Sequence, residues 1–350
     1  MTTRTHRAVS WAATIGSLVA VACGGAVPAT GHPAARPQAP KVRADPARSW
    51  RAVVDVSVAT LWRRPAELRP MDAPSASNPV DIPRWLSRMT VADRRWLVGR
   101  VQTQVLYGTS VTVVKQRGRW SKVVVSVQPT PLDRRGYPGW MPTRQLTGNV
   151  SLAGLLRTHP VAVVRTRTAW LRDPATLRRR LQVSFATRLP VVARAGDSDI
   201  VATPNGGRLA VRMRKVAEYP SLGAVRPAGG RVLVTAARRF LGLPFLWGGT
   251  SGFGYDCSGL THAVYRRFGI RIPRDADAQA AHGTPVGRTQ LRPGDLVFFA
   301  GPGGTGAVHH VAMFVGAGRV IEAPRTGTTV RIVRLSALAA DYAGARRYLD

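Results

Sequence analysis

The run from Phe245 to Gly259, Phe-Leu-Trp-Gly-Gly-Thr-Ser-Gly-Phe-Gly-Tyr-Asp-Cys-Ser-Gly, carries a glycine-rich loop directly into one of the chain's two cysteines. Beyond it Leu260, Ala263, Val264 and Phe268 recur at three- and four-residue steps, the pattern of one buried helical face, and Gly269 follows as a C-cap. That spacing puts Cys257 at the N-terminus of a helix. The unpaired N–H groups and positive dipole end there favour a thiolate, and a neighbouring imidazole can complete its activation. A lone cysteine is more often a small buried hydrophobe. Here, however, Gly248, Gly249, Gly252 and Gly254 crowd the approach, Asp256 and Ser258 flank the sulfur, and histidines stand at a later strand start, so Cys257 is read as a nucleophile.

Such a thiolate needs a base that later protonates a leaving amine, and imidazole suits both tasks. His309 and His310 are adjacent on a predicted strand and must point to opposite faces, so only one can meet Cys257. His262, on the cysteine helix, and His282, in a loop, are read as structural or surface groups.

Between Pro244 and Pro324 a series of short motifs occurs in order: Pro-Phe-Leu-Trp-Gly-Gly, Asp-Cys-Ser-Gly-Leu, Gly-Ile-Arg-Ile-Pro-Arg-Asp-Ala, Leu-Arg-Pro-Gly-Asp-Leu-Val-Phe-Phe, His-Val-Ala-Met-Phe-Val-Gly and Ile-Glu-Ala-Pro. Together they resemble the NlpC/P60 family of cell-wall cysteine peptidases. The resemblance implies a papain-like α+β domain that hydrolyses an amide of bacterial peptidoglycan stem peptides, commonly the bond from the γ-carboxyl of D-Glu to a diamino acid. It assigns the catalytic imidazole to His310 and the third, polar position to Glu322, where the family often has His. A carboxylate there can hold one tautomer and stabilise imidazolium. Backbone N–H groups at the start of the Cys257 helix would meet the oxyanion. Relatives with SH3-like barrels prefer a free N-terminal L-Ala, and the groups that engage its amine match Tyr137 and Asp275, with Asp256 and Ser258 lining the cleft. Three departures stand out: Thr109 where those relatives have an acid after Leu-Tyr-Gly, Phe245 for a common Tyr and Ala276 for a common Ser. A lost carboxylate removes one charge-assisted contact to an ammonium, worth about 1.5–3 kcal/mol, which weakens the expected preference for a free amine.

Upstream, Arg4, His6 and Arg7 precede an apolar run from Ala8 to Ala22, which reads as a signal peptide over 1–22. Ala20-Val21-Ala22 ahead of Cys23 fits both an Ala-x-Ala cleavage site and a loose lipobox, leaving secretion and a lipid anchor at Cys23 both open. Residues 23–47, rich in Pro and Ala, read as a disordered tether. Residues 48–150 read as a first SH3-like barrel. Within it we expect a strand over Val53 to Thr60, a Pro-rich loop over 64–83, a short helical insertion marked by Trp85, Leu86, Met89, Leu97 and Val98, a hairpin of Ser110–Val114 and Lys122–Val127, and a tight turn at Gly136–Trp140 with two aromatics free to be exposed. Residues 151–225 read as a second barrel, because Arg188–Val192 echoes Ser110–Val114 and Gly207–Val211 echoes Gly118–Lys122. The catalytic domain then spans 226–350. It opens with a helical stripe of Leu233, Ala236, Ala237, Phe240 and Leu241 beside the Cys257 helix, and continues with strands at Leu296–Phe299, Val311–Val315, Arg319–Glu322 and Thr329–Val333.

Composition narrows the partners. Of 350 residues 51 are basic and 18 acidic, a net charge of +33, and 47 of the basic residues are arginine. Most of the excess lies before residue 231. With no zinc-finger spacing, RRM-like aromatic motif or long basic helix, nucleic acid is excluded in favour of anionic envelope polymers or a merely solvated surface. The thiol chemistry calls for no metal and no cofactor. The expected function is an extracytoplasmic cysteine endopeptidase acting on peptidoglycan stem peptides or released muropeptides. The alternatives are a non-catalytic peptidoglycan-binding module and an acyltransferase with the same thiol chemistry.

Overall fold

A computed structural model describes residues 49–349; the expected signal peptide, the tether and Cys23 lie outside them. No helix among the described residues is long and apolar enough to cross a membrane.

The first seven strands are β1 (Trp50–Val54), β2 (Val58–Trp62), β3 (Val101–Leu106), β4 (Ser110–Arg117), β5 (Trp120–Val125), β6 (Tyr137–Pro142) and β7 (Leu146–Thr147), arranged in the order β3-β2-β6-β5-β4-β1-β7. The single strand expected over Val53–Thr60 is in fact two. Asp55–Ser57 interrupt it, and β1 and β2 pair with different partners, β4 and β3. The β4–β5 hairpin forms around Gly118, whose φ of 55 suits the left-handed turn position. Gly136–Trp140 is no tight turn: from Tyr137 onward it is strand β6, paired along its length with β5, and Tyr137 is buried. Alternation of small and aromatic residues suits a half-buried strand as well as a turn, and only the partner strand decides between them.

Between β2 and β3 the expected Pro-rich loop contains two 3₁₀ turns and helix α1 (Ala73–Ala76), then leads into α2 (Ile82–Arg88) and α3 (Val91–Trp96). Prolines sit at the first positions of several of these, where their missing N–H costs nothing. Trp85, Leu86, Met89 and Leu97 are buried as expected, whereas Val98 is exposed. Trp85 is anchored by an indole N–H donated to buried Asp72 at 2.8 Å.

After α4 (Ser151–Thr158) comes a second set: β8 (Val161–Val164), β9 (Thr168–Arg172), β10 (Arg179–Ser184), β11 (Arg188–Ala195), β12 (Ser198–Ala202), β13 (Arg208–Arg212) and β14 (Val216–Tyr219). Its order, β10-β9-β13-β12-β11-β8-β14, repeats that of the first set strand for strand. The match of Arg188–Val192 to Ser110–Val114 is therefore correct in topology, since β11 takes the place of β4. The match of Gly207–Val211 to Gly118–Lys122 is displaced by one hairpin: Gly207 leads into β13, the equivalent of β6, and the turn equivalent to Gly118 is Gly196, also at φ 55. Both glycines introduce strands of similar texture, so local pattern could not separate them.

The last part begins with α5 (Gly230–Arg238), which buries Leu233, Ala236 and Ala237, with Phe240 buried just beyond it and Leu241 exposed. A small ribbon, β15 (Thr250–Ser251) and β16 (Gly254–Tyr255), precedes α6 (Cys257–Arg267) and α7 (Ala276–Ala280). The sheet comprises β17 (Thr284–Pro285), β18 (Leu296–Ala300), β19 (Val308–Gly316), β20 (Arg319–Glu322), β21 (Arg331–Arg334) and β22 (Tyr342–Arg347), in the order β17-β22-β18-β19-β20-β21. Strand β22, beside β18, was not expected: its Tyr-Ala-Gly-Ala-Arg-Arg has little β-propensity and is held by its neighbours. One apolar cluster runs without a break from Trp62, Trp85 and Leu97 of the first region through Phe185 of the second to Phe240, Tyr255, Leu260, Val311 and Ile321 of the third. Phe185, Phe240 and Tyr255 stack edge to face in series, with centroids 5.0 and 4.8 Å apart. The three parts are therefore packed as one body.

Candidate active site

Helix α6 starts at Cys257 because Asp256 caps it. The Asp256 carboxylate accepts the Gly259 N–H at 2.7 Å and the Gly248 N–H at 2.8 Å. Gly259 must be glycine, since a Cβ there would lie 1.9 Å from the Gly249 carbonyl oxygen. Loop and helix thus interlock backbone to backbone, and Cys257, half-buried, is presented at the first turn.

His310 on β19 and Glu322 on β20 are brought together by register. Met313 lies opposite Ile321, which sets Glu322 across from Ala312, two residues along from His310 and on the same side of the ladder. The His310 Nε2 to Glu322 Oε2 distance is 2.7 Å. With Nε2 so engaged, Nδ1 is the ring nitrogen left to serve Cys257. Burial pulls the His310 pKa down, but the hydrogen bonds and charges of Cys257 and Glu322 prevail and push it up to about 9. Burial alone would raise the Glu322 carboxyl. His310 and the Arg331 guanidinium, whose Nε donates at 2.9 Å, hold it below its ordinary value instead. His309 is exposed and turned from this group, as adjacent strand residues must be.

The other predicted residues divide into two sets. Tyr137 and Asp275 lie side by side at the edge of the site. Burial, then the Asp275 charge, raises the Tyr137 phenol, and burial raises the Asp275 carboxyl in spite of Arg274. Asp256 and Ser258 are buried beneath Cys257, with their oxygens occupied. Arg274 donates from Nη2 to Asp256 at 2.7 Å, from Nη1 to Ser258 Oγ at 2.8 Å and from Nε to Thr103 Oγ1 at 2.9 Å. Arg274 is 1 % exposed, and nothing in the local sequence pattern assigns it a role. A buried guanidinium with every neighbour matched is costly to disturb, and its place beside Asp275 in Ile-Pro-Arg-Asp-Ala was the only signal for it. Also unforeseen were Gln104 and Gln128. Gln104 accepts from Ser251 Oγ at 2.9 Å, and Gln128 joins Thr103 to the Gln104 carbonyl. Amides inside apolar strands were the available hint. His262 is buried and structural, its Nδ1 3.0 Å from the Ile272 carbonyl, and His282 Nδ1 contacts the Ala278 carbonyl at 2.7 Å. Among the described residues no group of three or more His, Cys, Asp or Glu is arranged to hold a metal.

A half-buried thiol at a helix start, a buried imidazole and a carboxylate hydrogen-bonded to it are groups that cysteine-peptidase chemistry would use. Residues 242–347 match the NlpC/P60 family and residues 164–219 match the YKFC SH3b2 domain. The chain is 44 % identical over 303 residues to a gamma-D-glutamyl-L-lysine dipeptidyl-peptidase of Bacillus cereus, covering 85 % of this chain and 91 % of that one. It is 36 % identical over 282 residues to the protein of the same description from Bacillus subtilis, covering 80 % and 92 %. A crystal structure of an NlpC/P60 family protein from Bacillus cereus superposes with a TM-score of 0.83 at 44 % identity, over 86 % of this chain and 100 % of that one. The chain belongs to the NlpC/P60 family and is an enzyme of its cysteine-peptidase class.

Proposed function

We propose that this peptidase cleaves peptidoglycan stem peptides at the bond between the γ-carboxyl of D-Glu and a diamino acid, with Cys257 as nucleophile, His310 as proton carrier and Glu322 as its orienting partner. The His310–Glu322 contact of 2.7 Å beside Cys257 carries the reading. As His310 takes the thiol proton, the sulfur attacks the carbonyl carbon, and the oxyanion forms against backbone N–H groups at the start of α6. The imidazolium gives its proton to the departing amine, leaving a thioester. Water, deprotonated by His310, then hydrolyses the thioester and frees the γ-carboxylate and the thiol. Tyr137 and Asp275 would receive the substrate's free ammonium, while Asp256 and Ser258, locked by Arg274, keep the nucleophile's turn in place.

The two seven-stranded sets are inferred to be paired SH3-like barrels, the first over 48–150 and the second over 151–225, ahead of a catalytic domain over 226–350. Their repeated strand order supports that division. We also propose that the enzyme acts outside the cytoplasm, where its polymer lies. The test is incubation with L-Ala-γ-D-Glu-L-Lys and with the diaminopimelate analogue, followed by mass spectrometry. Wild type should release the dipeptide and Cys257→Ala should not; identical traces would refute the reading.

A further inference from the structure

Where the first strand set, the second and the end of α6 meet, a cavity of about 290 Å³ is lined by Ser126, Val127, Arg188, His262, Arg266 and Arg271, with no carboxylate among its lining residues. It is separate from the peptidase site. His262 is five residues beyond Cys257 on α6, which turns it about 140° away and about 7–8 Å along the axis.

The cavity's polar groups are left unfinished. Arg188 Nη2 donates to the Arg266 carbonyl at 2.7 Å, and Arg271 Nη2 donates to the Ser126 carbonyl at 2.7 Å, so these guanidiniums are fixed in place by backbone. Yet Arg188 Nε and Arg266 Nε are buried without a partner, as is Nε2 of His262, a residue only 2 % exposed. Burial, then the charge of Arg188, pushes Arg266 down to about 9. Arg267 adds a further buried cation next to Arg188. Buried like charges with open donors are expensive unless an anion joins them.

The acceptor side narrows the anion. His262 Nδ1 faces the Ile272 carbonyl, which can only accept, so the proton sits on Nδ1 and the neutral ring offers Nε2 as a lone pair. Burial, then Arg266 and Arg274, keeps that ring neutral by lowering its pKa to about 3. A ligand complementary to this set needs several acceptor oxygens for the guanidiniums and one O–H for Nε2. We propose that the cavity binds a monohydrogen phosphate group, either the free ion or the end of a small phosphomonoester, with Arg188, Arg266 and Arg271 holding its oxygens and His262 accepting its O–H. Sulfate has the same shape and no proton to give. Bound at the junction, such a ligand would tie all three parts of the chain together.

Calorimetric titration and thermal melting of the full chain in a phosphate-free buffer test this, using inorganic phosphate, glycerol 3-phosphate and sulfate. We expect saturable phosphate binding that raises Tm by a few degrees, sulfate weaker by about tenfold or more, and phosphate affinity reduced about tenfold by Arg266→Gln and by Arg271→Gln. Glycerol 3-phosphate binding at least as tightly as phosphate would identify an esterified ligand, and exclusion of it would identify the free ion. His262→Leu should narrow the phosphate-to-sulfate ratio. Exposed Arg271 gives a variant whose fold is not at risk, should the buried ones fail to fold. Equal affinity for sulfate would overturn the assignment to a hydrogen-bearing phosphate. Phosphate binding that is absent, or unchanged in Arg271→Gln and Arg266→Gln, would overturn the site.

Discussion

The first and second strand sets share one strand order and differ in what hangs from it. In the first, residues 63–100 between β2 and β3 form three helices, and residues 126–136 between β5 and β6 form a long loop; the equivalent connections in the second, 173–178 and 203–207, are short. The long connections and the strands that flank them carry the contacts to the peptidase site. Thr103 and the Pro129 carbonyl bind Arg274, Tyr137 faces Asp275, and Val91 of the insertion lies against Gly327 in the loop that follows Glu322. The second set meets the catalytic part away from the sulfur, through Ser184 Oγ accepting the Gly252 N–H at 2.8 Å and Arg167 reaching the Leu241 carbonyl at 2.6 Å. One framework thus serves twice, as a wall of the cleft and as a brace, and the loops make the difference.

Variants can break or sharpen this contrast. The largest effect should fall in neither set: His310→Ala is expected to lower kcat by about 10⁴-fold, with a wild-type circular dichroism spectrum showing that the fold is kept and the loss is chemical. Next comes Trp85→Ala in the first set's insertion. It removes a fully buried indole from the shared core together with one of the donors to buried Asp72, and should cost about 3–5 kcal/mol in a denaturant titration. Tyr137→Phe and Asp275→Asn should each raise KM for substrates with a free N-terminal amine by about tenfold, and affect N-acetylated substrates little, corresponding to about 1.5 kcal/mol. Equal losses on both substrates would remove the first set's claim to the cleft.

Smaller is the pH effect. His310 has a folded pKa raised to about 9 from an ordinary 6.5, so its contribution to stability is complete below about 6.5 and is lost as pH rises through 9. Tm should therefore decline across that window in wild type and decline less in Glu322→Gln. Smallest of all, Ser184→Ala in the second set should cost about 1 kcal/mol of stability and leave kcat/KM unchanged. A kinetic defect there would show that the brace also shapes the site.

How much could be read in advance follows from what is local. Cys257 at a helix start was legible because the glycine run, Asp256 and the Leu260–Val264 spacing are neighbours in sequence. The choice between His309 and His310 needed either a motif or the fold, since alternation says only that they diverge. Arg274 escaped because its partners, Thr103 on one side and Asp256 and Ser258 on the other, lie far from it in the chain, and its guanidinium looks like any surface arginine until these segments close over it. The tight turn expected at Tyr137 failed for the same reason, because β5 decides whether that segment extends.

The order of residues alone determined that Cys257 begins a helix, and gave the repeated strand-rich texture upstream its form, because helix caps, turns and periodicity act over a few positions. Tertiary structure decided that Glu322 reaches His310, that Tyr137 stands beside Asp275 and that Arg188, Arg266 and Arg271 converge beside His262. Each of these depends on strand register and on packing between segments far apart in the chain, where a side chain's partner is set by what the whole fold brings within 3 Å or so.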